Sequence, residues 1–292
     1  MAIKYLKTVL EEKAQNSVEK SLVHMLVKSM GKYYPERSHK TVHASDVTKE
    51  DFCARQYRLM DAHNVKRPDS YISAALRATF DLGRLTADTL VTQWADSFVW
   101  GKWKCASCNS TIEFGPRPSP TQCGAGTGLL CDWKYHEVNF VSQHSKISGS
   151  IDMLADIGKP KKVPIELKIM KADEFDKLSA PLAEHRLRTM LYLQLIAESD
   201  NPARFNVDTE HAKVLYVSRG YGKMNPEVGQ IVPFKEFDVY RDDNAVKLYS
   251  ERGRTVHIAR QEGSIPSDKA CSHSACATAK KCPVRVQCWS GS

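Results

Sequence analysis

The chain has 292 residues, 42% of them hydrophobic, and a formal net charge of +8. That length suits one large domain or two small ones with a packed core. No long apolar run is present and the N-terminus MAIKYLKTVLEEKAQ lacks a continuous apolar stretch, so neither a membrane-spanning helix nor a secretory signal is expected. The expectation is a cytoplasmic, intracellular protein (host cytoplasm for a viral chain) whose positive charge suits a polyanionic partner.

Residues 3–31 carry apolar positions at helical spacing (Leu6, Val9, Leu10, Val18, Leu22, Met25, Leu26, Met30) and predict a helix. A basic loop follows over 32–44. Ser45 or Thr48 is expected to cap a helix running to about Asp61, since Asp51 lies three residues after Thr48. This helix would carry Cys53, Arg55, Tyr57 and Arg58. A second helix is predicted from about Ser70 to Ser97, with Leu76, Phe80, Leu82, Leu85, Leu90 and Trp94 as its core stripe. Gly83 inside it suggests close packing or a bend.

From Trp100 to about Tyr135 the chain is rich in Gly, Pro, Ser and Cys, without clear periodicity. Cys105 and Cys108 form a C-x2-C pair, followed by Cys123 and Cys131, and four thiolates can hold a structural Zn2+. The wider second pair leaves His136 open as a substitute ligand. Nine cysteines without a secretion signal argue against a disulfide framework.

Strands are expected near 137–143, 147–157 and 162–170. On the last, Glu166 and Lys168 share a face, and Ile165, Leu167 and Ile169 point into a core. If the two later strands pair, Asp152 approaches Glu166. Two carboxylates and an ammonium suit a divalent cation and a water attacking a phosphodiester; a polar-faced surface strand reads the same way. A helix over about 172–198, interrupted near Ala180-Pro181, precedes strands at 211–219 and 229–239 and a basic helix over 240–262. The order predicts an α/β fold with an N-terminal helical layer and a cysteine-bearing tail.

The order G-x-I-D (Gly149 to Asp152), E-x-K (Glu166 to Lys168) and then a helix resembles the PD-(D/E)XK nuclease superfamily, with its restriction-endonuclease-like mixed sheet flanked by helices. The closer likeness is to the RecB/AddB-type iron–sulfur exonuclease branch, including the CRISPR-associated iron–sulfur nucleases. There one cysteine lies upstream of the core and three at the C-terminus. Here SDVTKEDFCARQYRL supplies Cys53, and ACSHSACATAKKCPVRVQCW supplies Cys271, Cys276, Cys282 and Cys288.

The resemblance implies a [4Fe–4S] cluster on Cys53, Cys282, Cys288 and either Cys271 or Cys276, with Cys271 preferred. Zinc on the four C-terminal cysteines is the rival. It implies Mg2+ or Mn2+ held by Asp152, Glu166 and the carbonyl of Leu167, with Lys168 orienting water or stabilising the phosphoryl group. Glu137 matches a frequent acid on the preceding strand. Two departures stand out. Ala87 occupies the place of a family histidine, beside Asp88, and Arg188-x-x-x-Tyr192 stands where the family has Gln-x-x-x-Tyr.

The implied domain scheme is an N-terminal helical region (1–99), a zinc-binding insertion (100–135), a nuclease core (136–262) and an Fe–S tail (263–292), integrated as one nuclease domain. The implied activity is DNA exonuclease at single-stranded ends, in recombination, repair or replication, with proteins of those processes as partners. Lys159, Lys161, Lys162, Lys171, Arg186 and Arg219 would contact phosphates, and Tyr216, Tyr221, Trp100 and Trp103 are candidates for base stacking. The competing expectation is a non-catalytic nucleic-acid-binding module stabilised by zinc and an Fe–S cluster.

Overall fold

The computed structural model describes Leu22, Met25, Val27 and residues 41–65, 73–121, 130–225 and 229–290. The chain divides into two compact units, Met1–Arg37 with Arg67–Leu85, and Ser38–Lys66 with Thr86–Ser292. The helix expected over 3–31 lies outside the described residues except for Leu22, Met25 and Val27, which are helical.

The second unit is a mixed α/β assembly. It begins with strand β1 (Val42–His43) and helix α1 (Ala44–Val47), both starting inside or at the end of the predicted basic loop. The single helix expected from Ser45 or Thr48 to Asp61 is two helices. Thr48 closes α1 instead of opening a helix, its hydroxyl donating to Ala44 O at 3.1 Å. Helix α2 (Ala54–Ala62) starts after Cys53, which stands at its N-cap.

Helix α3 (Ala74–Thr89) passes into a π-helical turn, Leu90–Trp94. Its predicted core stripe is corrected: Leu76, Phe80, Leu82, Leu85 and Trp94 are exposed and only Leu90 is buried. A Cβ at Gly83 would meet nothing within 4 Å, so close packing does not explain this glycine.

Seven strands form the central sheet. They are β2 (Val99–Cys105), β3 (Thr111–Pro116), β4 (Trp133–His136), β7 (Met153–Ala155), β8 (Val163–Met170), β9 (His211–Ser218) and β12 (Phe234–Tyr240). The order is β12-β9-β8-β7-β2-β3, with β4 also paired to β2. The cysteine-rich stretch therefore extends the central sheet as paired strands, contrary to its lack of periodicity in sequence. A smaller sheet has the order β1-β6-β5, with β5 spanning Val138–Val141 and β6 Ile147–Ile151. A third pair, β10 (Lys223–Asn225) and β11 (Gln230–Val232), follows β9.

The strand expected over 147–157 is broken at Asp152. Before it the chain pairs in the small sheet as β6, and after it in the central sheet as β7. The β7–β8 hairpin is closed by Asp156, whose carboxylate accepts from Gly158 N and from Lys162 Nζ. Strand β8 reads VPIELKIM because both its faces are covered, which favours a near-continuous apolar run.

A parallel crossover joins β8 to β9 through α4 (Ala172–Lys177) and α5 (Ala183–Ala197). Helix α5 buries Thr189, Met190, Leu191, Leu193, Gln194, Leu195 and Ile196, so it is enclosed rather than amphipathic. Helix α6 (Asp243–Glu262) is capped by the Asp242 carboxylate accepting from Ala245 N and ends at Gly263 with φ 69°. Its Gly253 lies against β6, where a Cβ would come 2.3 Å from Ile147. Two short helices, α7 (Ala277–Lys281) and α8 (Arg285–Trp289), complete the chain, and no described helix is long and apolar enough to cross a membrane.

Candidate active site

The break at Asp152 carries the chemistry. Continuing the Met153↔Ile165 register by one residue places Asp152 across from Glu166. The Asp152 carboxylate accepts the Leu167 N–H at 2.8 Å, which fixes it against β8. Lys168 Nζ lies 2.5 Å from Glu166 Oε1 and 3.9 Å from Asp152 Oδ2, and donates to Leu167 O at 3.1 Å. Arg188, on α5, brings Nη1 to 3.7 Å from the same Glu166 oxygen.

Glu166 is 3% exposed, and its Oε1 accepts no aligned hydrogen bond despite the two cations beside it. Arg188 Nε is likewise buried without a hydrogen-bond partner. Burial, then the Asp152 charge, pushes the Glu166 carboxyl up to about 7. Burial also raises Asp152, with Glu137 adding to the shift and Lys168 opposing it. The pocket thus concentrates acidic groups where their charges repel, an arrangement that a cation would relieve.

Glu137 connects β4 to β5 and is exposed, yet it acts electrostatically on Asp152 and on Tyr135. Tyr192 lies one turn beyond Arg188 on α5. Its ring packs on Gly149, where a Cβ would come within 2.7 Å of Tyr192 Cε1. Glycine in G-x-I-D thus lets α5 sit close on β6. Gln194 belongs elsewhere, accepting from Ser250 Oγ at 2.6 Å and donating to Glu198. Asp88 is exposed near the end of α3, and among the described residues its carboxylate forms no ion pair with the pocket.

His185 carried no role in the sequence reading. It lies one turn before Arg188, with Nδ1 2.8 Å from Tyr216 Oη, which also accepts Leu182 N–H. Burial, then Lys168 and Arg188, holds it down at about 4, so it stays neutral at neutral pH. The signal available was its spacing, three residues before Arg188 on the helix that faces β8.

Three of the four aromatic stacking candidates are committed to packing. Tyr216 and Trp103 are fully buried, while Trp100 packs on Phe114 with Lys162 Nζ 4.4 Å from its ring centroid. Lys162 is also paired with Asp156, and Lys159 lies 3.3 Å from His211 Nδ1. Tyr221 remains exposed.

Two cysteine sites differ in kind. The Sγ atoms of Cys105, Cys108 and Cys131 all lie within 4.8 Å of one another, so these three could hold a metal ion. Cys123 falls outside the described residues. His136 pairs with Lys102, three residues along β2 from Cys105.

The other site joins α2 to the C-terminal segment. Cys53, Cys271, Cys282 and Cys288 line one small cavity. Burial and the neighbouring thiols raise Cys271 and Cys282. The Cys276 thiol lies beside Cys271 but does not line this cavity, and its sulfur caps α7 by accepting Ala279 N–H at 3.3 Å. Arg55 ties the layers together, donating to Cys288 Sγ and to Pro266 O.

No family model and no curated protein matches the chain. Among solved structures, it is similar to the crystal structure of SSO0001, at 14% identity over 92% of this chain and 96% of that one, with a TM-score of 0.38. It is also similar to LHK-Exo in complex with dAMP, at 11% identity over 76% of this chain and 93% of that one, with a TM-score of 0.36. Neither likeness is strong enough to bear on activity. What stands is a mixed α/β protein whose helix-flanked central sheet holds a buried carboxylate–lysine pocket.

Proposed function

We propose that the protein is a metal-dependent DNA exonuclease of the PD-(D/E)XK type, related to the RecB/AddB-like iron–sulfur branch. The observation that carries this reading is the convergence of Asp152 and Lys168 on the Leu167 peptide, with Lys168 also against Glu166, whose buried oxygen lacks an aligned donor. Asp152, Glu166 and the Leu167 carbonyl fit Mg2+ or Mn2+, hard cations that take oxygen ligands. Bound there, such an ion supplies Lewis acidity toward a phosphoryl oxygen and acidifies a water. Lys168 would orient the attacking water or meet the charge growing on the phosphoryl oxygens. Arg188, beside Glu166, would hold a phosphate or support Lys168, Tyr192 sets the distance between α5 and β6, and Glu137 would serve as an outer acid. Asp88, beside the position of the family histidine, would stand in for that ligand, or the ion would have fewer protein ligands.

Cys53, Cys271, Cys282 and Cys288 fit a [4Fe–4S] cluster, because a cubane takes four thiolates on separate irons and these four surround one cavity. Cys276, engaged as a helix cap, is left out. Cys105, Cys108 and Cys131 fit Zn2+, whose tetrahedral ligands crowd together, and Cys123 is the fourth thiolate that the sequence offers. Under this reading residues 1–99, 100–135, 136–262 and 263–292 contribute helices, zinc site, nuclease core and cluster-bearing tail, and the protein acts on DNA ends in recombination, repair or replication within the cell.

The test incubates the full chain with Mn2+ and end-labelled linear DNA, beside circular DNA and an EDTA control. Mn2+-dependent release of nucleotides from ends supports the reading. Binding without cleavage on every substrate would favour the non-catalytic module. Metal analysis should find about four irons and one zinc per chain.

A further inference from the structure

At the carboxyl end of β9 the chain turns through Arg219, Gly220, Tyr221 and Gly222 into β10. This end lies beside the carboxyl end of β8, since Met170 pairs with Ser218 and Lys168 with Tyr216. The turn is held along its length. Arg219 N–H donates to Met170 O at 2.9 Å. The Ser218 hydroxyl accepts Gly220 N–H and donates to Tyr221 O. Ser218 N–H is itself bonded to Pro233 O.

Both glycines are pressed against neighbours. A Cβ at Gly220 would come 2.8 Å from Ala172 Cβ, and one at Gly222 would come 2.4 Å from the Val232 backbone. Between them Tyr221 is 93% exposed. A large aromatic side chain is therefore presented to solvent on a turn with little freedom to fold it inward, which lowers the ordering cost of a stacking contact.

The charges beside it point to the occupant. Lys171 and Arg219 are exposed, and among the described residues neither side chain has an acidic partner. Nearby lysines are engaged: Lys223 pairs with Asp176, and Lys235 Nζ donates to carbonyls of Phe175 and Leu178. Free cations flanking an exposed ring suit a strand of nucleic acid whose bases are unpaired. Phosphates meet the cations, and one base face meets the ring. In a duplex that base face is covered by its neighbours.

We propose that Tyr221 stacks on an unpaired base of single-stranded DNA, with Lys171 and Arg219 on flanking phosphates, and that this turn gives the protein a preference for single-stranded over duplex DNA. The inference rests on the exonuclease reading but concerns binding rather than hydrolysis.

Anisotropy titrations of the full chain in EDTA, with a labelled single-stranded oligonucleotide and a hairpin duplex, separate the two. Tyr221→Ala should weaken single-strand binding roughly ten-fold and leave duplex binding within about two-fold, while Tyr221→Phe stays close to the parent. Arg219→Ala should lower the salt dependence by about one phosphate contact. Equal binding by parent and Tyr221→Ala overturns the inference, as does an equal loss on both DNAs. Either result leaves Mn2+-dependent cleavage by the parent intact, so the exonuclease reading stands. A parent that binds neither DNA and cleaves neither overturns both.

Discussion

The acidic pocket and the cysteine cavity are built from opposite materials. The pocket draws Asp152, Glu166 and Lys168 from one hairpin, where sheet hydrogen bonds place them, and Arg188 from α5 in the crossover that follows. The cavity unites Cys53 with Cys271, Cys282 and Cys288 from the far end of the chain. Its packing is slight: Leu59, Met60, Val284 and Cys288 form the buried cluster, with Val65, Cys282 and Trp289 against it. The pocket stays ordered at an electrostatic cost; under the proposed cluster reading, the cavity depends on what its thiols bind, beside the hydrogen bonds of Arg55 and Arg58 to the C-terminal segment.

The sharpest way to break this contrast is to remove a cavity thiol. Cys53→Ser or Cys282→Ser should abolish cluster absorption and free the segment after Ser264 to proteolysis, while α5 and the central sheet remain protected. Limited proteolysis with mass spectrometry reads this, and an intact tail in both variants would show that packing alone holds it. In the pocket, Gly149→Ala forces a methyl into Tyr192, and overpacking of this kind costs about 1–3 kcal/mol. Denaturant unfolding should show that loss, and Tyr192→Ala in the same chain should recover part of it.

The pocket's cost should also appear as a pH dependence. Glu166 is raised from 4.5 to about 7. Below 4.5 it is protonated folded and unfolded, and no cost arises. Between these values the unfolded chain gives up the proton first, so the contribution of Glu166 falls as pH rises and is lowest above 7. Glu166→Gln should therefore melt near the parent at pH 5 and above it at pH 8, in EDTA. Mn2+ should stabilise the parent more at pH 8 than at pH 6 and do less for the variant. The smallest effect is expected at Cys276. Cys276→Ser keeps a capping acceptor on α7, so cluster content should be unchanged and stability should move by less than about 1 kcal/mol.

The same contrast explains what could be read in sequence. Asp152, Glu166 and Lys168 were legible because strand alternation and a short connection bring them together locally. Helical spacing paired Arg188 with Tyr192, but the approach of Arg188 to Glu166 is set by how α5 packs on the sheet. The break at Asp152 was not legible, because a switch between sheets leaves no mark in residue pattern. Nor was the placement of Leu76, Phe80, Leu82 and Leu85, because periodicity reports an apolar face and not whether anything covers it. Thr48 looked like a helix start, but it closes α1, and α2 begins only after Cys53, which stands at its N-cap. His185 was missed because its meaning comes from Tyr216 on β9, a residue distant in sequence.

The central claim is that Asp152 and Lys168 act together on a phosphodiester. The most direct measurement is the rate of Mn2+-dependent nucleotide release from end-labelled single-stranded DNA by the parent, Asp152→Ala and Lys168→Ala, each with its melting curve. Both variants should retain the parent's fold and lose at least about a hundred-fold in rate, the scale expected for removing an electrostatic or water-activating group. Undiminished cleavage in both variants would contradict the account.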